Sequence, residues 1–335
     1  LVVVVVVAAA ALGLAACGSS SSSSSSSGST SGSGSTTETT SSGGGFTYGY
    51  SIPTGQNPWI NTIAEAAQAT AGAAGGEGEV SDSKLEPGAA VAQLTRSLAA
   101  GANVLAVAPA QVPQALQSTL AKATSGGAAA LATEWSFVKG EPEASPQAPV
   151  QGQASIDREK LAIEVMETIN TADPAGGKVI FVGLPFPTPP LDFLEEHLGK
   201  SELVANLDDP TDNAQGALGP LNGALAANSD ATAIVTYSGP SALAAVEAVK
   251  SAGLTGKVDV YSIELDTAVA KDVEAGTVAA AWDMNPVELG EALGELMVAA
   301  GEGKPEAEWA KTVVVDAKKY TKENVGSWKD WASGS

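Results

Sequence analysis

Phe46-Thr47-Tyr48-Gly49-Tyr50-Ser51-Ile52, then Pro53-Thr54-Gly55-Gln56-Asn57, then Pro58-Trp59-Ile60-Asn61-Thr62-Ile63-Ala64, is the stretch on which the fold turns. A short run of aromatic and β-branched residues reads as a strand, and the Pro, Gly and Asn behind it read as a loop. The Ala-rich segment that follows opens with proline at its first position, as helices often do. The same unit recurs along the chain. Strands are expected at 46–52, 78–81, 104–108, 128–132, 153–156, 178–182, 202–206, 231–236, 258–263, 278–282 and 312–315. Helices are expected at 58–71, 89–100, 113–124, 158–170, 214–227, 240–251 and 287–300. Strand and helix alternating about every 25 residues predict an α/β fold, with parallel sheets flanked by helices.

That is more strands than one ordinary sheet carries, so two lobes are expected. Lobe 1 takes residues 46–150 and 286–312, and lobe 2 takes 151–285 and 313–335. The segment 138–153, with Pro142, Pro146 and Pro149, reads as a crossover between them.

Composition removes several functions. The chain has 17 Lys and Arg against 38 Asp and Glu, a net charge of −21, one Cys and one His. A structural zinc site needs about four Cys or His ligands, and a disulfide within the chain needs two cysteines. A surface this acidic repels phosphate backbones, so nucleic acid is not an expected partner. No cofactor is expected. His197 sits in Leu194-Glu195-Glu196-His197-Leu198 and reads as an exposed helical residue. Neither Ser238-Gly239 nor Gly183-Leu184-Pro185 has the spacing of a nucleophile elbow. No enzymatic activity is therefore expected; an anchored hydrolase and a purely structural surface protein are the rival classes.

Residues 1–16 carry no charge and are almost entirely Val, Ala and Leu, the composition of a secretory signal core. The end of this run, Leu14-Ala15-Ala16-Cys17-Gly18, resembles the lipobox of bacterial lipoproteins, in which the cysteine is acylated. Cys17 is accordingly expected to carry a lipid that anchors the secreted protein to the outer face of the cytoplasmic membrane. Signals of this kind begin with Lys or Arg whereas this chain begins Leu1-Val2, so its start is expected to be truncated. Residues 18–45 are Ser, Gly and Thr apart from Glu38 and read as a disordered tether with a reach of about 30 Å. The acidity thus belongs almost wholly to the body that begins at Phe46.

Several segments of that body resemble the type I periplasmic binding proteins, in particular the ribose- and galactose-binding branch that serves ABC sugar importers. They are Asn57-Pro58-Trp59 after the first strand, the run from Ala99 to Ala110, Asp157-Arg158, Ser241-Ala242-Leu243-Ala244-Ala245, and Thr321-Lys322-Glu323-Asn324-Val325. The resemblance implies two Rossmann-like lobes joined by a three-crossover hinge and closing by hinge bending on a solute. It also implies a carbohydrate or related ligand, an ABC permease as partner, and a monomer. Same-fold ligand sensors, and binders of a nucleoside, an autoinducer or an aromatic solute, remain the alternatives.

Ligands of open α/β sheets bind beyond the carboxyl ends of the strands. Counting strand ends nominates Asn57, Trp59, Glu134, Trp135, Phe137, Asp157, Arg158, Phe186, Asp212, Tyr237, Ser238, Glu264 and Trp282; Asp82, Asp266 and Asp283 lie at neighbouring ends. Aromatic faces would cover the apolar side of a sugar ring, and carboxylates and amides would take its hydroxyls. The chain departs from the family pattern at Glu134-Trp135, where Asp-Arg is common, and at Ser238-Gly239, where Asn-Asp is common. Met284 stands where a Gln is usual, Glu264 where an Asp is usual, and 183–193 lacks a customary Arg. These changes keep a less polar or aromatic-bearing solute in view. Trp309, Trp328 and Trp331 are expected to pin the C-terminal segment.

Overall fold

The computed structural model describes residues 45–108, 113–134, 149–184 and 189–331. Cys17 and the expected signal and tether lie outside the described residues, as do Trp135, Phe137 and Phe186.

The opening unit folds as its sequence suggests. β1 (Thr47–Ile52) leads into α1 (Pro58–Ala73), then β2 (Glu77–Asp82), α2 (Pro87–Ala99), β3 (Val104–Val107), α3 (Pro113–Ser125), β4 (Ala129–Glu134) and β5 (Gly152–Ile156). The chain continues through α4 (Arg158–Ala172), β6 (Lys178–Gly183), α5 (Pro189–Glu196), β7 (Glu202–Asp208), α6 (Ala214–Ala227), β8 (Ala233–Thr236), α7 (Gly239–Ser251), β9 (Asp259–Ser262), α8 (Thr267–Ala275) and β10 (Ala280–Asp283). It closes with α9 (Pro286–Gly301), α10 (Glu306–Trp309), β11 (Thr312–Val315), β12 (Lys318–Thr321) and a 3-10 turn, Val325–Ser327.

Two six-stranded sheets result, ordered β11-β5-β4-β3-β1-β2 and β12-β10-β9-β8-β6-β7. Every pairing is parallel except that of β12 with β10. Each sheet therefore needs helices on both faces, and successive strand residues show it. In β3, Val104 and Ala106 join one apolar cluster with Ile63 of α1 and Leu293 of α9, while Leu105 and Val107 join another with Leu94 of α2 and Leu120 of α3. In β6, Phe181 faces Met166 of α4, and Ile180 and Val182 face Leu221 of α6 and Ala245 of α7.

Strand pairing moves the lobe boundaries from those read in the sequence. β5 pairs with β4, and β11 pairs with β5, so both belong to the first sheet. The chain changes lobe at Asp157, again between β10 and α9, and again at 316–317, instead of at 151 and 313. The Pro-rich stretch suggested an early crossover, but the buried segment Gly152–Ile156 after it still pairs within the first sheet. β12 escapes sequence reading because Lys318-Lys319-Tyr320-Thr321 buries only Tyr320. His197 lies in the turn just after α5 and is half-buried.

The C-terminal tryptophans are anchored. Trp309 is buried and donates from Nε1 to the Lys304 carbonyl at 3.1 Å; Trp328 donates to Asp283 Oδ2 at 2.9 Å and meets Trp331 edge-on. No helix among the described residues is long and apolar enough to cross a membrane.

Candidate functional site

The carboxyl ends of both sheets face a narrow cleft whose free volume, about 10 Å³, is no more than one water molecule needs. From the first lobe, Pro53, Thr54, Asn57, Trp59, Ile60, Leu85 and Glu134 line it. From the second come Leu184, Asp212, Tyr237 and Glu264.

Local structure fixes Asn57 before the cleft uses it. Asn57 is the N-cap of α1, and its Oδ1 accepts the Trp59 backbone N–H at 2.8 Å. That bond commits the oxygen to the helix and turns the amide nitrogen outward. The nitrogen donates across the cleft to Asp212 Oδ2 at 3.1 Å and to Glu264 Oε2 at 3.2 Å. The second lobe returns the arrangement: Asn213 caps α6 through Oδ1 and donates from Nδ2 to Gln56 Oε1 at 3.2 Å.

Two acidic residues of the cleft hold unusual backbone. Glu134 has φ 69° and Asp212 φ 48°, a left-handed conformation that costs a non-glycine residue on the order of 1 kcal/mol. Such strain clusters at functional sites, because it aims a side chain where an unstrained backbone would not.

Electrostatics set the acids apart. Burial pushes the Glu134 carboxyl up to about 8; Arg158 opposes this and Asp212 adds to it. Burial likewise drives Glu264 well above its ordinary value, with Asp212 and Asp266 adding, and the Asn57 and Gly239 N–H groups opposing. Asp212 is raised by burial, against the Ser238 and Asn57 hydrogen bonds. Tyr237 is held well above the normal phenol range by burial, and it feels the charges of Arg158, Glu134, Glu264 and Asp212 together. Gly239 matters here because a Cβ at that position would lie 2.7 Å from Asp266 Oδ2 and 3.2 Å from Glu264 Oε1. Glycine thus lets two carboxyls approach the N-terminus of α7, whose dipole favours negative charge.

Hydrogen bonding is incomplete at the cleft. Trp59 Nε1, Glu134 Oε1, Asp212 Oδ1 and Glu264 Oε1 are buried without a hydrogen-bond partner, and so is the Tyr50 hydroxyl, which lies close enough to Glu134 to feel its charge. Each such group costs about 1–3 kcal/mol, more where it carries charge, so their gathering at one cleft sets it apart.

Of the residues nominated from the sequence, Asn57, Trp59, Glu134, Asp212, Tyr237 and Glu264 come together as lining of the cleft. Ser238 and Arg158 stand behind it, both buried, the first as N-cap of α7 and the second opening α4. Asp157 caps α4, and its Oδ1 accepts the Lys160 N–H at 2.8 Å. Trp282 is not among the lining residues: it is fully buried in the apolar cluster that holds Met166 and Tyr261. Its place one residue before the end of β10 puts the side chain on the helix-covered face of the sheet. Pro53, Thr54, Ile60, Leu85 and Leu184 were not nominated, although Pro53 and Leu184 directly follow strands and could have been found by the same counting.

The sequence matches the periplasmic binding protein domain over residues 48–305. The chain belongs to this family of periplasmic binding proteins. Solved structures share the two-lobed fold at low identity. An ABC transporter solute-binding protein from Burkholderia graminis, in complex with D-arabinose, has 16% identity and a TM-score of 0.74, covering 85% of this chain and 98% of its own. The Caulobacter myo-inositol binding protein has 18% identity and a TM-score of 0.74, covering 86% and 97%. A glucose-galactose binding protein from Geobacillus stearothermophilus has 13% identity and a TM-score of 0.73, covering 84% and 99%. No curated protein sequence matches the chain. In this periplasmic binding protein the cleft lies between the lobes, where both halves of the chain supply polar groups.

Proposed function

We propose that this periplasmic binding protein captures a sugar or sugar-like polyol between its lobes and delivers it to an ABC permease. The observation that carries the reading is the set of buried, unpartnered polar atoms contributed to one cleft by both lobes: Trp59 Nε1 and Glu134 Oε1 from the first, Asp212 Oδ1 and Glu264 Oε1 from the second. A polyhydroxylated solute supplies both donors and acceptors to such a set, and the indole of Trp59 offers a flat apolar face to a ring. The structural relatives in complex with D-arabinose or myo-inositol, and the glucose-galactose binding protein, support the same solute class.

The working cycle is a shift of population. A solute that touches both lobes only when they are closed stabilises the closed form by its difference in affinity, and the permease reads closure from the exposed lobe surfaces. No covalent bond is made or broken. Acylation of Cys17 would hold the monomeric protein at the outer face of the cytoplasmic membrane, with residues 18–45 as the leash. Labelled fatty acid should enter the wild type and not Cys17→Ala; equal labelling refutes the anchor.

A thermal-shift screen over pentoses, hexoses and cyclitols tests the ligand class. A solute at 100 times its dissociation constant adds about 2.7 kcal/mol to stability, which a melting curve resolves easily. An unmoved melting temperature across the whole screen overturns the reading.

A further inference from the structure

Among the residues that line the cleft, one oxygen of each carboxyl, at Glu134, Asp212 and Glu264, has no hydrogen-bond partner, and neither has the Trp59 indole N–H; the Tyr50 hydroxyl, close to Glu134, is likewise without one. Asp212 Oδ2 and Glu264 Oε2 converge on the single Asn57 amide nitrogen, which carries only two hydrogens, both now used. Their second oxygens, and that of Glu134, need further donors. Among the described lining residues there are three carboxyls and no cation; the nearby Arg158 guanidinium answers Glu134 and Tyr237 from the start of α4. Asp209 and Asp266, behind Asp212 and Glu264, deepen the negative field. No group of three acidic, His or Cys side chains among the described residues is arranged to hold a metal ion.

We infer that the solute is a polyhydroxylated ring bearing a protonated amino group, an amino sugar or aminocyclitol, whose ammonium sits among Glu134, Asp212 and Glu264. The inference rests on the sugar-binding reading above and names the solute class within it. An ammonium is the one small group with three donors, no acceptor and a positive charge, and the three orphan oxygens ask for that combination. Burial favours the protonated form of Glu134 and Glu264 when no solute is bound, so an ammonium would enter with release of protons from these carboxyls and would then meet a charge that a neutral hydroxyl does not draw out. The remaining hydroxyls of the ring would give Trp59 Nε1 its acceptor, and the Trp59 indole and Tyr237 phenol offer aromatic faces that tolerate a cation.

The test compares matched pairs by calorimetry and thermal shift on the purified full chain at pH 7. Glucosamine, galactosamine and mannosamine are each set against the parent hexose, and scyllo-inosamine against scyllo-inositol. At least one amine is expected to bind about tenfold or more tighter than its neutral partner, as charge-assisted hydrogen bonds exceed neutral ones. Glu264→Gln, which keeps the shape and removes the charge, is expected to erase most of that preference. Should the neutral member bind as tightly or more tightly in every pair, the ammonium subsite is overturned while the sugar-binding reading stands. Stabilisation by calcium chloride with no preference for any amine also overturns it. If no member of any pair binds, the ammonium subsite and the sugar-binding reading fall together. The wild-type comparison needs no variant, so a folding defect in Glu264→Gln cannot hide the result.

Discussion

Asn57 and Asn213 perform the same double task from opposite sides of the cleft. Each caps a helix through its side-chain oxygen and reaches the other lobe through its nitrogen, Asn57 to Asp212 and Glu264 and Asn213 to Gln56. The cap fixes the amide's orientation, so the grip between lobes is preorganised by the start of α1 and the start of α6. Because the partners of Asn57 are the carboxyls that face the cleft, a solute would compete for the same acceptors. In the proposed cycle the amide grip would give way to the solute.

Substitution at Asn57 separates the cap from the grip. Asn57→Ser keeps a side-chain oxygen for the Trp59 N–H and removes the donor to Asp212 and Glu264. Without ligand, the serine variant should scatter X-rays as a more open particle than the wild type, with little change in helix content. Asn57→Ala should open likewise and also lose about 1 kcal/mol from the missing cap. Identical radii of gyration for wild type and both variants would show that the amide does not hold the lobes together.

Glu264→Gln should trade binding for stability. The carboxyl is buried beside Asp212 and Asp266 and raised well above its ordinary value, chiefly by desolvation, so around neutral pH folding carries a cost of protonating it that glutamine removes. A gain on the order of 1 kcal/mol is expected, with at least about tenfold weaker solute binding, the usual exchange when a strained site is relaxed. A melting temperature that falls along with affinity would mean that the carboxylate is a structural ion and not a poised ligand group.

The acids also make ligand-free stability depend on pH. Glu134 is raised from 4.5 to about 8 in the folded protein, so between these values the folded chain holds a proton that the unfolded chain has released. Its contribution is therefore complete below about pH 4.5 and is lost as pH rises through about 8. Glu264 and Asp212 shift in the same direction, while Arg158 opposes the shift at Glu134. Melting temperature without solute should decline from pH 5 to pH 8.5, and Glu134→Gln should flatten the decline. A profile that rises over this range would contradict the burial of these carboxyls.

Much of this was legible in the sequence because two-sided parallel strands write continuous apolar runs, as Val104-Leu105-Ala106-Val107 does. The cleft was legible through topology, since loops after parallel strands converge at one edge, and Asn57, Glu134, Asp212, Tyr237 and Glu264 all follow or end strands there. What a strand end does not reveal is which face its last residues take. Trp282 differs from Glu134 in this respect: both lie near strand ends, but the left-handed backbone of Glu134 aims it into the cleft, and the extended run of β10 sends Trp282 into the core. Nor could the Asn57 bridge be read, because its acceptors lie more than 150 residues away in the chain.

The packing of α9 on α1 supplies a prediction in which two effects of known size oppose each other. Replacing a helical glycine by alanine gains about 0.8–1 kcal/mol of intrinsic helix stability. At Gly223 in α6 nothing lies within 4 Å of an added Cβ, so Gly223→Ala should realise that gain. At Gly290 the same Cβ would lie 2.3 Å from the Ile63 carbonyl oxygen and 2.7 Å from the Ala66 Cβ; at Gly294 it would lie 2.5 Å from the Thr70 Cβ. The obstacle at Gly290 is backbone of α1, which cannot swing aside as a long side chain would, and overpacking of this kind costs about 1–3 kcal/mol. The cost exceeds the gain, so Gly290→Ala should lower the melting temperature, and Gly223→Ala should raise it by about 2–4 °C per kcal/mol. Stabilisation by both substitutions would mean that α1 and α9 are not in the close contact through which the first lobe holds Asn57 at the mouth of the cleft.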